Sequence, residues 1–209
     1  VLAGVTYCAV ILTCQQVFEV RRAREWTLAL DRWWKEQPDM VAFTGRCLVH
    51  RAEILQLGGS WPAALDETRR ARRRFIETGN AAAGLAHYRE GELLRLQGDL
   101  LAAETAYSEA NRAGWEPQPG LAQLRLAQGR AETAAAAIRR ACTETSDPLR
   151  RAELLPARVE IMLALGELDD AESACAELEE IAGGYSSAML GAMAAYARGA
   201  VELARGETQ

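Results

Sequence analysis

The sequence predicts an all-α fold, an α-solenoid built from antiparallel helix pairs in about five repeats. In four segments a glycine that ends an apolar run is followed five residues later by an alanine, and these four glycines lie 39, 31 and 37 residues apart. Apolar residues make up 49% of the 209 residues, and much of this fraction is alanine, which has the highest helix propensity. No alternating, β-branched run long enough for a strand is found. Helical repeats of this length stack so that each repeat contacts its neighbours.

The glycine–alanine motif marks where one helix ends and the next begins. Each glycine follows an apolar helix, at a position where a tight or left-handed turn is needed. Each alanine provides space where two helices approach closely, and three motifs carry another alanine seven residues further on. The pairs are Gly59/Ala64, Gly98/Ala103, Gly129/Ala134 and Gly166/Ala171, and the later positions hold Ala71, Ala110, Ala141 and Leu178.

Periodicity and proline positions predict eleven helices along the chain. The first is the apolar N-terminal run, and the third carries a stripe of Leu48, Ala52 and Leu55 before a Gly-Gly stop. The fifth has a broader stripe through Leu85 and Tyr88. Five of the six prolines fall at helix starts or in loops, where proline is tolerated. The predicted ranges are 2–18, 20–36, 41–57, 61–78, 81–97, 100–114, 120–128, 130–145, 148–165, 168–182 and 186–205.

Charge and length bear on the partners of the chain. The net charge of −5 argues against direct nucleic-acid binding, since such domains usually carry a basic face. The segment RRARRRF (69–75) is the exception, and neighbouring acids favour a solvated helix face there over a nucleic-acid site.

The apolar N-terminal run is shorter than the roughly 20 residues of a membrane span, and it lacks the basic start of a signal peptide. We expect one repeat domain over 1–209 and, without an initiator Met, a longer parent chain.

Cysteine usage indicates a reducing compartment. The chain has five cysteines, an odd number, with no CxxC pair. Reduced, mostly buried thiols in the cytoplasm are the better interpretation than a disulfide scaffold. Phosphate-binding glycine loops, HExxH and GxSxG are absent from the sequence, so we expect neither an enzyme nor a cofactor.

Cys47, His50 and Glu53 are the residues most suggestive of chemistry. They follow one another at i, i+3 and i+6 on one predicted helix and combine a thiol, an imidazole and a carboxylate. A catalytic trio usually converges from separate elements, and a zinc site needs three or four ligands in a tetrahedral array. We therefore expect neither catalysis nor metal binding, and interpret Cys47 as a packing residue.

The spacing resembles the tetratricopeptide repeat, which has small residues at repeat positions 8, 20 and 27 and often glycine at 15. A fourth unit departs, with Val159 at position 8 and Leu178 at position 27. The matching residues are Ala52, Gly59, Ala64 and Ala71 in one unit, Gly91, Gly98, Ala103 and Ala110 in the next, and Ala122, Gly129, Ala134 and Ala141 in the third.

The resemblance implies a binding groove, because in that family the first helix of each pair lines the concave surface. Long, polar and aromatic side chains there suit a peptide or small ligand. The alternative is that they form only a solvated face. The candidate groove residues are Arg46, His50, Glu53, Gln56, Tyr88, Arg89, Glu92 and Arg95.

Longer stretches resemble the helical repeat region of large actinobacterial LuxR-type transcriptional regulators. They are GRCLVHRAEILQLGGSWPAALDE (45–67), AYSEANRAGWEPQPGLAQLRLAQGR (106–130) and LLPARVEIMLALGELDDA (154–171). The resemblance implies a non-catalytic domain that binds a protein, peptide or small effector, with the DNA-binding domain outside this chain. The alternative function is a scaffold for protein assembly without effector sensing. The apolar helices at 2–18 and 186–205 suggest a homodimer.

Overall fold

A computed structural model of the chain describes residues 2–35, 44–80 and 82–206. In these ranges all regular secondary structure is α-helix, which confirms the all-α prediction. The predicted starts at 41 and 81 and the predicted end at 36 lie outside the described residues, and the other helix ends lie within two residues of the prediction. The helices are α1 (Leu2–Gln16), α2 (Val20–Lys35), α3 (Thr44–Leu57), α4 (Trp61–Glu77), α5 (Ala83–Leu96), α6 (Leu100–Arg112), α7 (Gly120–Ala127), α8 (Ala131–Glu144), α9 (Pro148–Leu165), α10 (Leu168–Gly184) and α11 (Ala188–Arg205).

Two compact units make up the chain. One comprises Val1–Gln15 and Val20–Pro117, and the other comprises Gln16–Glu19 and Gln118–Gln209. In the first unit α3 packs on α4, α4 on α5 and α5 on α6, while α3 also contacts α2 and α5. In the second unit α7 to α11 pack in chain order, and α9 also contacts α7 and α11. Within each unit, alternate helices are therefore neighbours too.

The four motif glycines adopt the left-handed conformation that the sequence predicts. Gly59, Gly98, Gly129 and Gly166 have φ of 76°, 84°, 75° and 75°. After each of them the next amide donates to the carbonyl five residues back, as Ser60 N does to Leu55 O at 2.9 Å. This bond satisfies a carbonyl that the end of the helix leaves without a partner, and a side chain at the glycine position would strain the turn.

The motif alanines are fully buried in their helices' packed faces. Ala64, Ala103, Ala134 and Ala171 are each 0% exposed. The positions seven residues further along are buried as well, including Leu178 in the unit that departs from the pattern. Their burial agrees with the predicted role of small side chains where neighbouring helices approach closely.

Gly91 lies at a close approach between α5 and α6. A Cβ atom built there would lie 2.7 Å from both Cδ1 and Cε1 of Tyr107. The Tyr107 ring is 0% exposed and therefore has little room to move. The ring of Tyr107 thus occupies the volume that the missing side chain leaves on α5.

We expect Gly91→Ala to lower the free energy of unfolding by about 1–2 kcal/mol, because overpacking against a buried ring outweighs the gain in helix propensity. The matched control is Gly191→Ala within α11, where a Cβ would meet nothing within 4 Å. That change is expected to raise the free energy of unfolding by about 0.5–1 kcal/mol. Urea unfolding of the two variants measures both, and equal effects would contradict the steric explanation.

The arginine-rich segment of α4 takes part in helix packing as well as facing solvent. As the sequence suggests, Arg70 pairs with Glu67 at 3.3 Å and Arg74 with Glu77 at 3.5 Å. The solvated-face interpretation misses a second role: Arg69 and Arg72 reach Glu90 on α5, at 3.1 and 3.2 Å. Glu90 is only 6% exposed, and two guanidinium groups compensate the burial of its charge.

In the second unit, the core extends from α7 to α11 and includes one residue from outside these helices. Phe18, in the turn after α1, packs against this core, and its carbonyl accepts a hydrogen bond from Ser187 Oγ at 3.0 Å. Ser187 Oγ also accepts from Leu190 N and so caps α11. The sequence pattern does not reveal this long-range contact.

One side of α11 is covered by α9 and α10. Its buried residues include Leu190 and Val201, each 0% exposed. Its other side exposes Tyr196 and Leu203, at 78% and 67%. This apolar helix, which the sequence suggests as a homodimer contact, is thus partly packed within the unit. Among the described residues, no helix is both long and apolar enough to cross a bilayer.

Candidate functional site

The residues predicted to line a groove lie side by side on α3 and α5 of the first unit, which contact each other. On α3, Arg46 is exposed, His50 is buried, and Glu53 and Gln56 are half-buried. On α5, Tyr88 is buried, and Arg89, Glu92 and Arg95 are half-buried. The burial of His50 and Tyr88 departs from their predicted role as lining residues, because neighbouring helices cover them. We call the eight residues together the α3–α5 row.

Glu53 is the centre of the row. Its Oε1 forms an ion pair with Arg89 Nη2 on α5, and its Oε2 accepts a hydrogen bond from Gln15 Nε2 on α1. His50 Nδ1 lies 4.0 Å from the same Oε2. The Glu53 side chain is 14% exposed, so these partners largely replace water around the carboxylate. Glu53 therefore ties α1, α3 and α5 together.

His50 is held neutral by its surroundings. The residue is 6% exposed, and its Nδ1 has no hydrogen-bond partner. Burial lowers the pKa of the imidazole to about 4, and the charges of Arg46 and Arg89 act in the same direction. At neutral pH a general base works best with a pKa near 7. The imidazole of His50 is therefore poorly matched to acid–base catalysis.

A second ion-pair network lies at the Arg95 end of the row. Glu92 Oε1 accepts a hydrogen bond from the Tyr107 hydroxyl, and Arg95 Nη2 donates to Glu92 Oε2 at 3.3 Å. Burial raises the pKa of Tyr107, so its hydroxyl stays protonated and donates. Both carboxylates of the row, on Glu53 and Glu92, thus have arginine partners.

Aromatic rings pack beside the ion pairs of the α3–α5 row. The centroid of the Tyr88 ring lies 5.9 Å from that of Tyr107 and 6.3 Å from that of Trp115. The guanidinium of Arg89 lies over the Tyr88 ring at 5.7 Å. This geometry suits a cation–π interaction, which helps to orient Arg89 toward Glu53.

Comparisons of the chain with protein-family models, curated proteins and solved structures found no match. Among the described residues, no group of three or more histidine, cysteine, aspartate and glutamate side chains is placed to hold a metal ion. What the α3–α5 row offers is a set of oriented charges, with Arg46 exposed at one end and Gln56 half-buried at the other.

A thiol pair beside the row is the feature that sequence reasoning missed. Cys47 is buried, as predicted for a packing residue, but its Sγ lies 3.7 Å from Cys8 Sγ on α1. The two cysteines are 39 residues apart and form no CxxC motif. The one available signal was that this separation equals the spacing of Gly59 and Gly98, which would place the two thiols at equivalent points of successive repeats.

Proposed function

We propose that the chain is a non-catalytic repeat domain of tetratricopeptide type that binds a protein, a peptide or a small effector at the α3–α5 row. Three features support this. The glycine–alanine motifs lie at the helix ends and contacts that such repeats require. The first helices of two successive pairs, α3 and α5, are neighbours. Their shared surface carries oriented charges instead of an apolar core stripe.

The observation that carries the proposal is the fixed geometry of this row. Glu53 and Arg89 hold each other in place, as do Glu92 and Arg95. A surface whose side chains are already ordered loses less conformational entropy when a ligand binds. Arg46 is exposed at one end of this ordered row and is the natural contact for a carboxylate or phosphate of the ligand.

A thermal-shift experiment tests this binding. The chain is heated with nucleotides, dicarboxylates and acidic peptides in turn, since a ligand of the native state raises the melting temperature. We expect at least one probe to raise it, and Arg46→Ala to abolish that shift. Arg73→Ala, an exposed arginine on α4, is the matched control and should retain the shift. If no probe shifts the wild type, effector sensing is wrong and the scaffold alternative is favoured.

Its place in a LuxR-type transcriptional regulator of the cytoplasm is part of the same proposal. The resemblance of three long stretches to the repeat region of those regulators supports it. A helix-turn-helix encoded in the same gene outside this chain is the expected observation. If the same gene encoded a complete protein that has no helix-turn-helix, the assignment to a LuxR-type regulator would be wrong.

The homodimer also stays a prediction. Its candidate contacts are the exposed Tyr196 and Leu203 of α11. Light scattering of the wild type and of Tyr196→Ser measures the oligomeric state and so tests it.

A further inference from the structure

Two thiols from distant parts of the sequence meet in the first unit. Cys8 on α1 and Cys47 on α3 have their sulfur atoms 3.7 Å apart and share an apolar cluster with Ile11 and Leu30. A disulfide bond is about 2.05 Å long, so the two sulfurs need to approach by less than about 2 Å to form one. Neither thiol is part of an ion pair or has a catalytic role in the proposed binding site.

We propose that Cys8 and Cys47 are a redox-active thiol pair, which a small hydroperoxide converts to a disulfide joining α1 to α3. This is a modification site, and it does not depend on the proposed binding at the α3–α5 row. Cys8 is the thiol that attacks the peroxide, and Cys47 is the thiol that resolves the intermediate.

The chemistry balances in two steps. The Cys8 thiolate attacks one oxygen of hydrogen peroxide, the O–O bond breaks, and the departing hydroxide takes up a proton to become water. Cys8 is then a sulfenic acid. The Cys47 sulfur attacks the Cys8 sulfur, the S–O bond breaks, and the hydroxyl leaves as a second water with the proton of Cys47. Two thiols have lost two electrons and two protons, and one peroxide has become two waters.

The surroundings of the pair explain the order of the steps. The hydrogen bond between the two thiols lowers the pKa of Cys8, whereas the same bond and burial raise the pKa of Cys47. Because the thiolate is the nucleophile, Cys8 is the sulfur prepared for attack near neutral pH. Cys142 and Cys175 in the second unit differ, since burial raises the pKa of both.

The test counts thiols before and after oxidation. The reduced chain is treated with hydrogen peroxide, denatured, and titrated for free thiols. We expect the count to fall from the five cysteines of the chain to three, with a linked pair of tryptic peptides. Cys14 is half-buried and shares its tryptic peptide with Cys8. The mapping is therefore repeated in Cys14→Ser, where the count should fall from four to two.

Three outcomes decide the proposal. A linkage between the peptide of Cys8 and that of Cys47 in Cys14→Ser, lost in Cys8→Ser and reversed by a reductant, supports it. A count that stays at five in the wild type, or a linkage that needs Cys14, overturns it. Fragment-ion sequencing of the linked peptides from the wild type assigns the bond to Cys8 or to Cys14, so the test stands even where a variant fails to fold. The rate of thiol loss should also rise with pH, because the thiolate of Cys8 is the attacking species.

Discussion

Tyr107→Ala is expected to lower the free energy of unfolding by about 4 kcal/mol. Among the described residues, Tyr107 is the largest fully buried side chain by volume. Its ring fills the volume over Gly91. Removing the ring leaves a cavity between α5 and α6. It also removes the hydroxyl that donates to Glu92, so a half-buried carboxylate loses one of its partners. Chemical denaturation with urea measures the change.

Two further variants separate the causes of that loss. Tyr196→Ala makes the same substitution at a residue that is 78% exposed. Measured at a protein concentration at which light scattering finds a monomer, it should change the free energy of unfolding by less than about 0.5 kcal/mol. Tyr107→Phe keeps the ring and removes only the hydroxyl, for an expected loss of about 1–2 kcal/mol. If Tyr107→Ala and Tyr196→Ala had equal effects, the packing of α5 against α6 described above would be wrong.

His50 is expected to make the folded state about 3 kcal/mol less stable at pH 4 than at pH 7. Burial lowers the pKa of the folded imidazole to about 4, whereas the unfolded chain has the ordinary value of 6.5. As the pH falls below 6.5, the unfolded state binds a proton that the folded state still excludes. The free energy of unfolding therefore falls with pH until the folded pKa is reached, and rises again as the pH is raised.

The quantity to measure is the slope of the free energy of unfolding against pH. Urea unfolding from pH 7 to pH 4 should show a shallower slope in His50→Gln than in the wild type. His87 is the other histidine of the chain, and burial lowers its pKa too. His87→Gln is thus the matched control, and it should retain the part of the slope that comes from His50. Identical slopes in the wild type and His50→Gln would show that His50 does not titrate as its burial requires.

Helix positions could be predicted well because their determinants are local. The left-handed glycines such as Gly59 and Gly166 end their helices by hydrogen bonds that span only a few residues. The alanines that follow them report close helix contacts at a fixed distance along the chain. Such information is contained in any window of about a dozen residues, so apolar periodicity, proline positions and the glycine–alanine spacing together predict where the helices lie.

The candidate site could be predicted only in part. The α3–α5 row was predicted from repeat positions, and its residues do lie on neighbouring helices. Sequence spacing did not predict that Glu53 would pair with Arg89 and Gln15, or that His50 would be buried. Those outcomes depend on which side chains from α1 and α5 reach α3.

The sequence by itself determined the helical class, the helix boundaries and the points of closest helix contact, because propensity, turn conformation and side-chain size act locally. Only the tertiary structure decided which polar and sulfur atoms meet. Cys8 and Cys47, 39 residues apart, become neighbours because side chains of α1 reach those of α3. Charge pairing, desolvation and thiol reactivity depend on distances between atoms that are remote along the chain, and folding alone sets those distances.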